Sequence, residues 1–299
     1  MKNLEYNLIK DLINAAESSH KKISEIVIEN QALNMELKPE ELFNKMSGNF
    51  DVMCEAVIKG SDKDLKSMSG LTGGEAYKMQ NYILNNNGGL SGSFVNTAIA
   101  AALAVAGYNA SMGRIVAAPT AGSCGILPGC LVTLYNEQRA NRDDIIMSLF
   151  TAGAFGMVIA NNASIAGAEG GCQAECGSAS AMAAAALVEL MNGTPEQCGH
   201  AAAIAIANQL GLVCDPVAGL VEIPCIKRNV SGVMIAFSSA DMALAGIEAK
   251  IPVDECIAAM QSVGSALPAS LRETSGGGLA DTPTGRKLKE LVFGNSKIY

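Results

Sequence analysis

Apolar residues recur at helical spacing throughout the first sixty residues. Leu8, Ile9 and Leu12 fall on one face of a helix, and Leu42 and Met46 repeat the spacing after a Pro-Glu-Glu start. A repeat of three to four residues predicts amphipathic helices, and a proline is favoured in a first helical turn. The pattern therefore predicts N-terminal amphipathic helices that pack on the rest of the protein.

From residue 61 onward, long apolar stretches alternate with loops rich in Gly, Ser and Pro. Alternation with a period of two is scarce, and no segment repeats with a period of 20 to 50 residues. The predicted fold is therefore all-α. We expect the helices of 1–60 to pack on a helical domain of 61–299, as one continuous domain 1–299. Its Gly/Pro-rich loops should converge on a site.

One stretch, 145–168, runs for 24 residues without a charge, which is long enough to span a bilayer. It also contains three glycines and the adjacent pair Asn161 and Asn162. We interpret it as a buried helix that ends near the two asparagines. The expectation is a protein with no membrane span.

Composition narrows the class of protein. Aromatic residues make up only 4% of the chain and Trp is absent, which favours closely packed helices over a β-sandwich. The net charge is −8 and no basic run occurs, so no nucleic-acid partner is expected. The charged N-terminus lacks the apolar core of a secretory signal, and we expect a cytoplasmic location.

The chain has nine cysteines, an odd number in an apparently cytoplasmic protein, which argues for free thiols rather than a disulfide framework. Cys54, Cys198 and Cys256 lie in helical stretches and are expected to be inert. Free cysteine is among the most frequently buried residue types.

Three other cysteines have helix-breaking or glycine neighbours. Cys172 follows two glycines, Cys214 precedes Asp-Pro, and Cys225 follows Pro224. Proline disfavours helix, so both Cys214 and Cys225 are expected on a loop. From spacing alone, an iron–sulfur cluster, a zinc site and inert buried thiols all remain open. A structural zinc site usually has four ligands and tight Cys pairs.

Four segments resemble the iron–sulfur-dependent L-serine dehydratase family, specifically its α chain. They are APTAGSCGILPG, NASIAGAEGGCQAECG, GLVCDPVAGLVEIPCIKRN and RETSGGGLA. The resemblance covers nearly all of residues 60–280, in the same order. It implies a [4Fe-4S] cluster held by Cys172, Cys214 and Cys225, with one iron open to substrate.

The implied reaction is the conversion of L-serine to pyruvate and ammonia, a step of amino-acid degradation that can feed gluconeogenesis. Iron with an open position can act as a Lewis acid on the β-hydroxyl. A pyridoxal phosphate enzyme needs a lysine in a phosphate-binding setting. The 169–240 region contains only Lys227 and no such motif, so no pyridoxal phosphate is expected.

Polar residues in or beside the glycine-rich loops are candidates for substrate binding, because backbone amides in such loops can approach a carboxylate. Arg228 adds a guanidinium, which can bind a carboxylate with paired hydrogen bonds. The candidates are Ser69, Thr72, Thr120, Ser123, Arg228, Glu273 and Thr274.

Single-chain members of the family have an extra domain thought to carry the proton-abstracting histidine, and we expect this chain to lack that domain. The only histidines are His20 and His200, and neither lies in a matching motif. We therefore expect a separate β chain as partner, in a heteromer.

Two alternatives remain: a cluster-dependent L-cysteine desulfidase, and a non-catalytic iron–sulfur sensor or scaffold. A scaffold would have a fourth protein ligand such as Cys176 or Cys124. No role is assigned to Cys130.

Overall fold

The computed structural model describes residues 6–294, and within this range it contains thirteen α-helices and no β-strand. The predicted all-α fold is confirmed. The helices are α1 (Ile9–Ser19), α2 (Ile23–Met35), α3 (Pro39–Gly60), α4 (Glu75–Asn85), α5 (Ser93–Ala110), α6 (Ile126–Asn136), α7 (Arg142–Asn162), α8 (Gly167–Gly170), α9 (Ser178–Leu190), α10 (Pro195–Ala207), α11 (Cys225–Leu244), α12 (Val253–Ala266) and α13 (Pro283–Phe293).

Helix α9 forms the centre of the molecule. All of its 13 residues are buried, and six of the first nine are alanine. A helix that is apolar on every face must be surrounded, and α9 packs against α6, α7, α10 and α11. Alanine has a short side chain, so neighbouring helices can approach closely. The segment that enters α9 is therefore attached to the most enclosed element of the fold.

The long uncharged stretch forms α7, which ends at Asn162 as predicted. Helices α5 and α7 are both long and apolar enough to cross a membrane, judged by length and composition only. In their most apolar windows, 50% of the residues of α5 and 67% of those of α7 are buried by other parts of the protein. Packing inside the helical core accounts for their composition.

The N-terminal helices lie on the outside of this core. Helix α1 packs against α10, α2 against α7, and α3 against α5 and α7. The predicted helix start at Pro39 is confirmed. The division of the chain near residue 60 stays a prediction.

Residues 113–130 contain two prolines and four glycines, a composition that predicts a loop, but the loop is shorter than this range. Helix α6 begins at Ile126, so Pro128 and Cys130 are helical and buried. Proline is compatible with the first turn because the N–H groups there have no intrahelical acceptor. The apolar stretch that begins at Phe94 is predicted from its sequence to form a helix ending at Gly107, but helix α5 continues to Ala110.

A buried carboxylate joins three helices at the far end of α9. Glu189 is only 4% exposed, and its Oε2 accepts hydrogen bonds from the Ser24 amide (3.1 Å) and the Thr151 hydroxyl (2.8 Å). The Ser24 amide belongs to the first turn of α2, so Glu189 satisfies a donor that lacks an intrahelical acceptor. Burial nevertheless raises the pKa of Glu189 above its ordinary value of 4.5.

This raised pKa predicts a pH-dependent stability. Folding favours the protonated form of Glu189, so its contribution is complete below the ordinary value and is lost as pH rises through the folded pKa. We expect Glu189→Gln, which keeps an acceptor oxygen, to gain stability relative to the wild type as pH rises above 4.5. Thermal-unfolding midpoints at several pH values would measure the difference, with Glu17→Gln on the surface of α1 as control. Parallel curves for the wild type and Glu189→Gln would contradict the prediction.

Candidate active site around four buried cysteines

Three separate segments bring Cys172, Cys214 and Cys225 into one region. Each side chain is at most 7% exposed, and none forms a disulfide. The thiols are close enough to influence one another's ionisation. Burial, followed by repulsion from Cys172, raises the pKa of Cys225 to about 12 and raises that of Cys214 further.

Each of the three cysteines has a different backbone setting. Cys172 immediately precedes a π-helical turn, Gln173–Gly177. Cys214 forms an isolated parallel bridge with Arg272, outside any helix. The prediction that Cys225 lies on a loop is wrong, because Cys225 is the first residue of α11. Pro224 fits directly before this helix, where its missing N–H has no intrahelical acceptor to lose.

The π-helical turn places a fourth cysteine beside the first. The sulfurs of Cys172 and Cys176 are 3.4 Å apart. The Cys176 thiol stabilises the Cys172 thiolate, and with help from Arg228 this lowers the pKa of Cys172 despite burial. The turn is anchored by buried Gln173, which donates to the Met260 carbonyl (2.8 Å) and accepts from the Gly211 amide (2.9 Å). Single π-helical turns are frequent at functional sites.

No group of three His, Cys, Asp or Glu side chains within residues 6–294 is arranged to hold a single metal ion. A four-iron cluster is larger than one ion, and it takes its thiolates from several directions. The assignment of Cys172, Cys214 and Cys225 as cluster ligands stays a prediction. Cys124 lies apart, in a small apolar cluster with Ala56 and Val105.

An acidic residue, Glu175, lies among the thiols. Its Oε1 accepts a hydrogen bond from the Thr120 hydroxyl (2.8 Å), and its Oε2 is 3.9 Å from the Cys214 sulfur. Burial, and to a lesser extent the nearby Glu273, raise the pKa of Glu175, while the Thr120 hydrogen bond lowers it. Thr120, predicted as a substrate-binding residue, thus lies at the site.

Arg228 forms a buried ion pair with Asp215. The Nη2–Oδ1 distance is 2.8 Å, and the side chains are 15% and 4% exposed. The Arg228 Nη1 also donates to the Val213 carbonyl (2.8 Å), and Asp215 Oδ2 accepts from the Leu279 amide (2.7 Å). Arg228 was predicted to bind a substrate carboxylate, and in the structure it already has acidic and carbonyl partners.

Ser69 and Thr72 form a second group, which is connected to the thiols through Glu222. Both hydroxyls donate to Glu222 Oε2, at 2.6 Å and 3.2 Å. Glu222 is buried, and its carbonyl accepts from the Ile226 amide in the first turn of α11. The loop that carries Ser69 and Thr72 is therefore fixed to the segment that leads into Cys225.

The remaining candidates differ in exposure. Ser123 is fully buried and donates to the Ala118 carbonyl within its own loop. Glu273 is exposed, and its amide donates to the Cys214 carbonyl (2.7 Å). Thr274 is also exposed, and its hydroxyl donates to the Ala269 carbonyl (2.8 Å). Glu273 thus reaches the thiol region, whereas Ser123 and Thr274 form local loop contacts.

Sequence reasoning missed four polar residues that organise the site. Three of them are the acidic residues Glu175, Asp215 and Glu222. Asn229 donates to the carbonyls of Gly122 and Cys225 and so ties two segments together. A usable signal existed, because the three acidic residues lie inside the same segments as the cysteines.

Comparison with known proteins gives consistent matches. The family model described as serine dehydratase alpha chain matches residues 18–280. The chain is 51% identical over 288 residues to "Probable L-serine dehydratase, alpha chain" of Bacillus subtilis, covering 96% of this chain and 95% of the relative. It is 46% identical over 283 residues to "L-serine dehydratase, alpha chain" of Peptoniphilus asaccharolyticus, covering 95% and 97%.

A longer relative matches only in part. "L-serine dehydratase 1" of Escherichia coli is 48% identical over 181 residues, which is 60% of this chain and 40% of that protein.

The ion pair between Asp215 and Arg228 generates a stability prediction. Replacing Asp215 with Ala leaves the guanidinium buried without its counter-charge, and breaking a buried pair in this way costs about 3–5 kcal/mol. Urea unfolding of the iron-free protein would measure the free energy of unfolding. The control is Asp281→Ala, which breaks an exposed pair with Arg286, 57% and 60% exposed. An exposed pair of this kind contributes at most about 1 kcal/mol to the free energy of unfolding. Equal losses in the two variants would refute the prediction.

Proposed function

This chain belongs to the serine dehydratase alpha chain family, and on that premise we propose that it is the catalytic α subunit of an L-serine dehydratase. The observation that carries the proposal is the gathering of Cys172, Cys214 and Cys225 with polar and charged side chains. The reaction removes the α proton and the β hydroxyl of L-serine as water. The resulting aminoacrylate tautomerises to an imine, which water hydrolyses to pyruvate and ammonia.

We further propose that Cys172, Cys214 and Cys225 would hold a [4Fe-4S] cluster. The donor set fits this group, because the three sulfurs are free, soft ligands that come from separate segments. When bound, such a cluster supplies a Lewis-acidic iron that weakens the bond to the departing hydroxyl. The remaining functions in binding and orientation belong to the chain's own residues.

Ser69, Thr72 and Thr120 contribute hydroxyls to loops that we propose surround the substrate. Their protons are donated to Glu222 or Glu175, which leaves the hydroxyl oxygens as acceptors. Glu222 orients two of these hydroxyls from a backbone position three residues before Cys225. These hydrogen bonds fix the loop that carries Ser69 and Thr72 relative to the segment that carries Cys225.

The proposed cysteine ligands can be tested individually. Changing Cys172, Cys214 or Cys225 to Ala is expected to abolish cluster absorption and pyruvate formation, because each removes one of three thiolates. Iron content, visible absorption and turnover of anaerobically reconstituted protein are the measurements.

The control for this test is Cys54→Ala. Cys54 is half-buried in α3. Its replacement by Ala should leave iron content and activity unchanged. If any one of the three site variants retains its iron, the cysteine replaced in that variant is not a ligand.

A second proposal concerns the proton-abstracting base. Abstraction from the α carbon needs a base within hydrogen-bond reach of the proton. His20 ends α1 on the surface, and His200 lies in α10 and interacts with Glu248. Since neither belongs to the thiol region, we propose that a β chain contributes the base. The alpha-chain names of the relatives imply such a partner.

This proposal predicts that the reconstituted chain alone is a poor catalyst. Adding the β chain should raise the rate of pyruvate formation by about 10²–10⁴-fold, the usual contribution of a positioned base. Anaerobic assays with each chain alone and with both together would measure it. Full activity of the isolated chain, lost on His200→Ala, would place the base in this polypeptide instead.

A further inference from the structure

The carboxylate of Glu175 is held against the thiols by two fixed contacts. One is the 2.8 Å hydrogen bond that Oε1 accepts from Thr120, and the other is the 3.9 Å approach of Oε2 to the Cys214 sulfur. Glu175 belongs to the π-helical turn between Cys172 and Cys176. Its position is therefore set by the same segment that carries two of the site's sulfurs.

The carboxylate occupies a notch that exists because two neighbouring residues are glycine. A Cβ at Gly122 would lie 2.8 Å from Oε1. A Cβ at Gly167 would lie 2.7 Å from Oε2 and 3.0 Å from the Cys214 sulfur. The absence of side chains at these two positions makes room for a negatively charged group beside the thiols.

Glu175 has acceptor capacity that residues 6–294 do not fill. An ionised carboxylate can accept about four hydrogen bonds, and the contacts found here are one hydroxyl and one weak thiol donor. No lysine or arginine among residues 6–294 forms an ion pair with Glu175. The positive charge of Arg228 lowers the pKa of Glu175, but Arg228 is itself paired with Asp215.

The Glu175 side chain is accessible to solvent. Glu175 is only partly buried, unlike Cys172 and Cys176 on either side of it. The exposed Glu273 lies close enough to add to the negative potential there. A partly exposed carboxylate with free lone pairs is suited to a small cationic donor that arrives from solvent.

We infer that Glu175 binds the α-ammonium group of the amino-acid substrate and thereby selects amino acids over the corresponding hydroxy acids. This inference rests on the proposed function. Serine presents a carboxylate, a hydroxyl and an ammonium, and the ammonium is the group that only an acceptor can bind. Charge-assisted hydrogen bonds to a carboxylate are about twice as strong as neutral ones.

The test compares Glu175→Gln with the wild type as the reconstituted enzyme together with its β chain. Glutamine keeps the size and one acceptor but removes the charge. We expect KM for L-serine to rise about 10- to 100-fold, the range that corresponds to one hydrogen bond to a charged group. Glycerate, which has a hydroxyl in place of the ammonium, is the competing probe. The ratio of its inhibition constant to KM should fall at least tenfold in the variant.

Two further variants and an iron assay separate this role from others. Glu175→Asp keeps the charge and should recover part of the lost affinity. Glu137→Gln changes an exposed carboxylate at the end of α6 and should behave as wild type. Iron content and visible absorption of Glu175→Gln should equal those of the wild type.

Three outcomes would contradict these proposals, and the measurements distinguish them. An unchanged KM and selectivity ratio in Glu175→Gln, with normal iron content, would overturn the inference while leaving the proposed function intact. Loss of iron in that variant would also overturn it, because Glu175 would then support the cluster. Failure of the wild-type pair to form pyruvate from serine would overturn the proposed function and, with it, this inference.

Discussion

The buried ion pair between Asp215 and Arg228 is the contact on which the geometry of the thiol region depends. Arg228 reaches from α11 to the residues on both sides of Cys214, through the Val213 carbonyl and the Asp215 carboxylate. Asp215 in turn accepts from the amide of Leu279, which brings the C-terminal loop against the same segment. Charges buried in a protein are stabilising only when their partners satisfy them. The pair therefore holds three segments in one arrangement, and Cys225 lies three residues from its arginine.

The second constraint is the entry into α9. Cys172, Glu175 and Cys176 precede α9, the most enclosed helix, by less than two turns, and the π-helical turn that carries Glu175 and Cys176 leads directly into it. Because α9 is surrounded by four helices, its N-terminal end cannot shift without disturbing the core. Gln173 adds hydrogen bonds to α12 and to Gly211. A site that must hold several sulfurs at fixed separations gains from attachment to such an element.

Much of the fold could be predicted from the sequence, and the site only in part. The helical class, the start at Pro39 and the end at Asn162 follow from local periodicity and helix-terminating residues. The helical placement of Pro128 and of Cys225 could not be read in this way, because a proline is equally compatible with a loop and with a helix start. The ion pair of Arg228 and the Glu222 contacts join residues far apart in sequence, and local patterns carry no signal for them.

The distribution of exposure across the site bears on the proposal that a second chain contributes the base. The sulfurs and Asp215 are buried, whereas Glu273 is exposed and Ser69 and Thr120 are partly exposed. On the proposed function, the buried side orients the leaving hydroxyl and the open side admits the substrate. The partly exposed Glu175 connects these two sides. A base that approaches from the open side need not enter the helical core, so it can belong to a second polypeptide without any rearrangement of the cysteine segments.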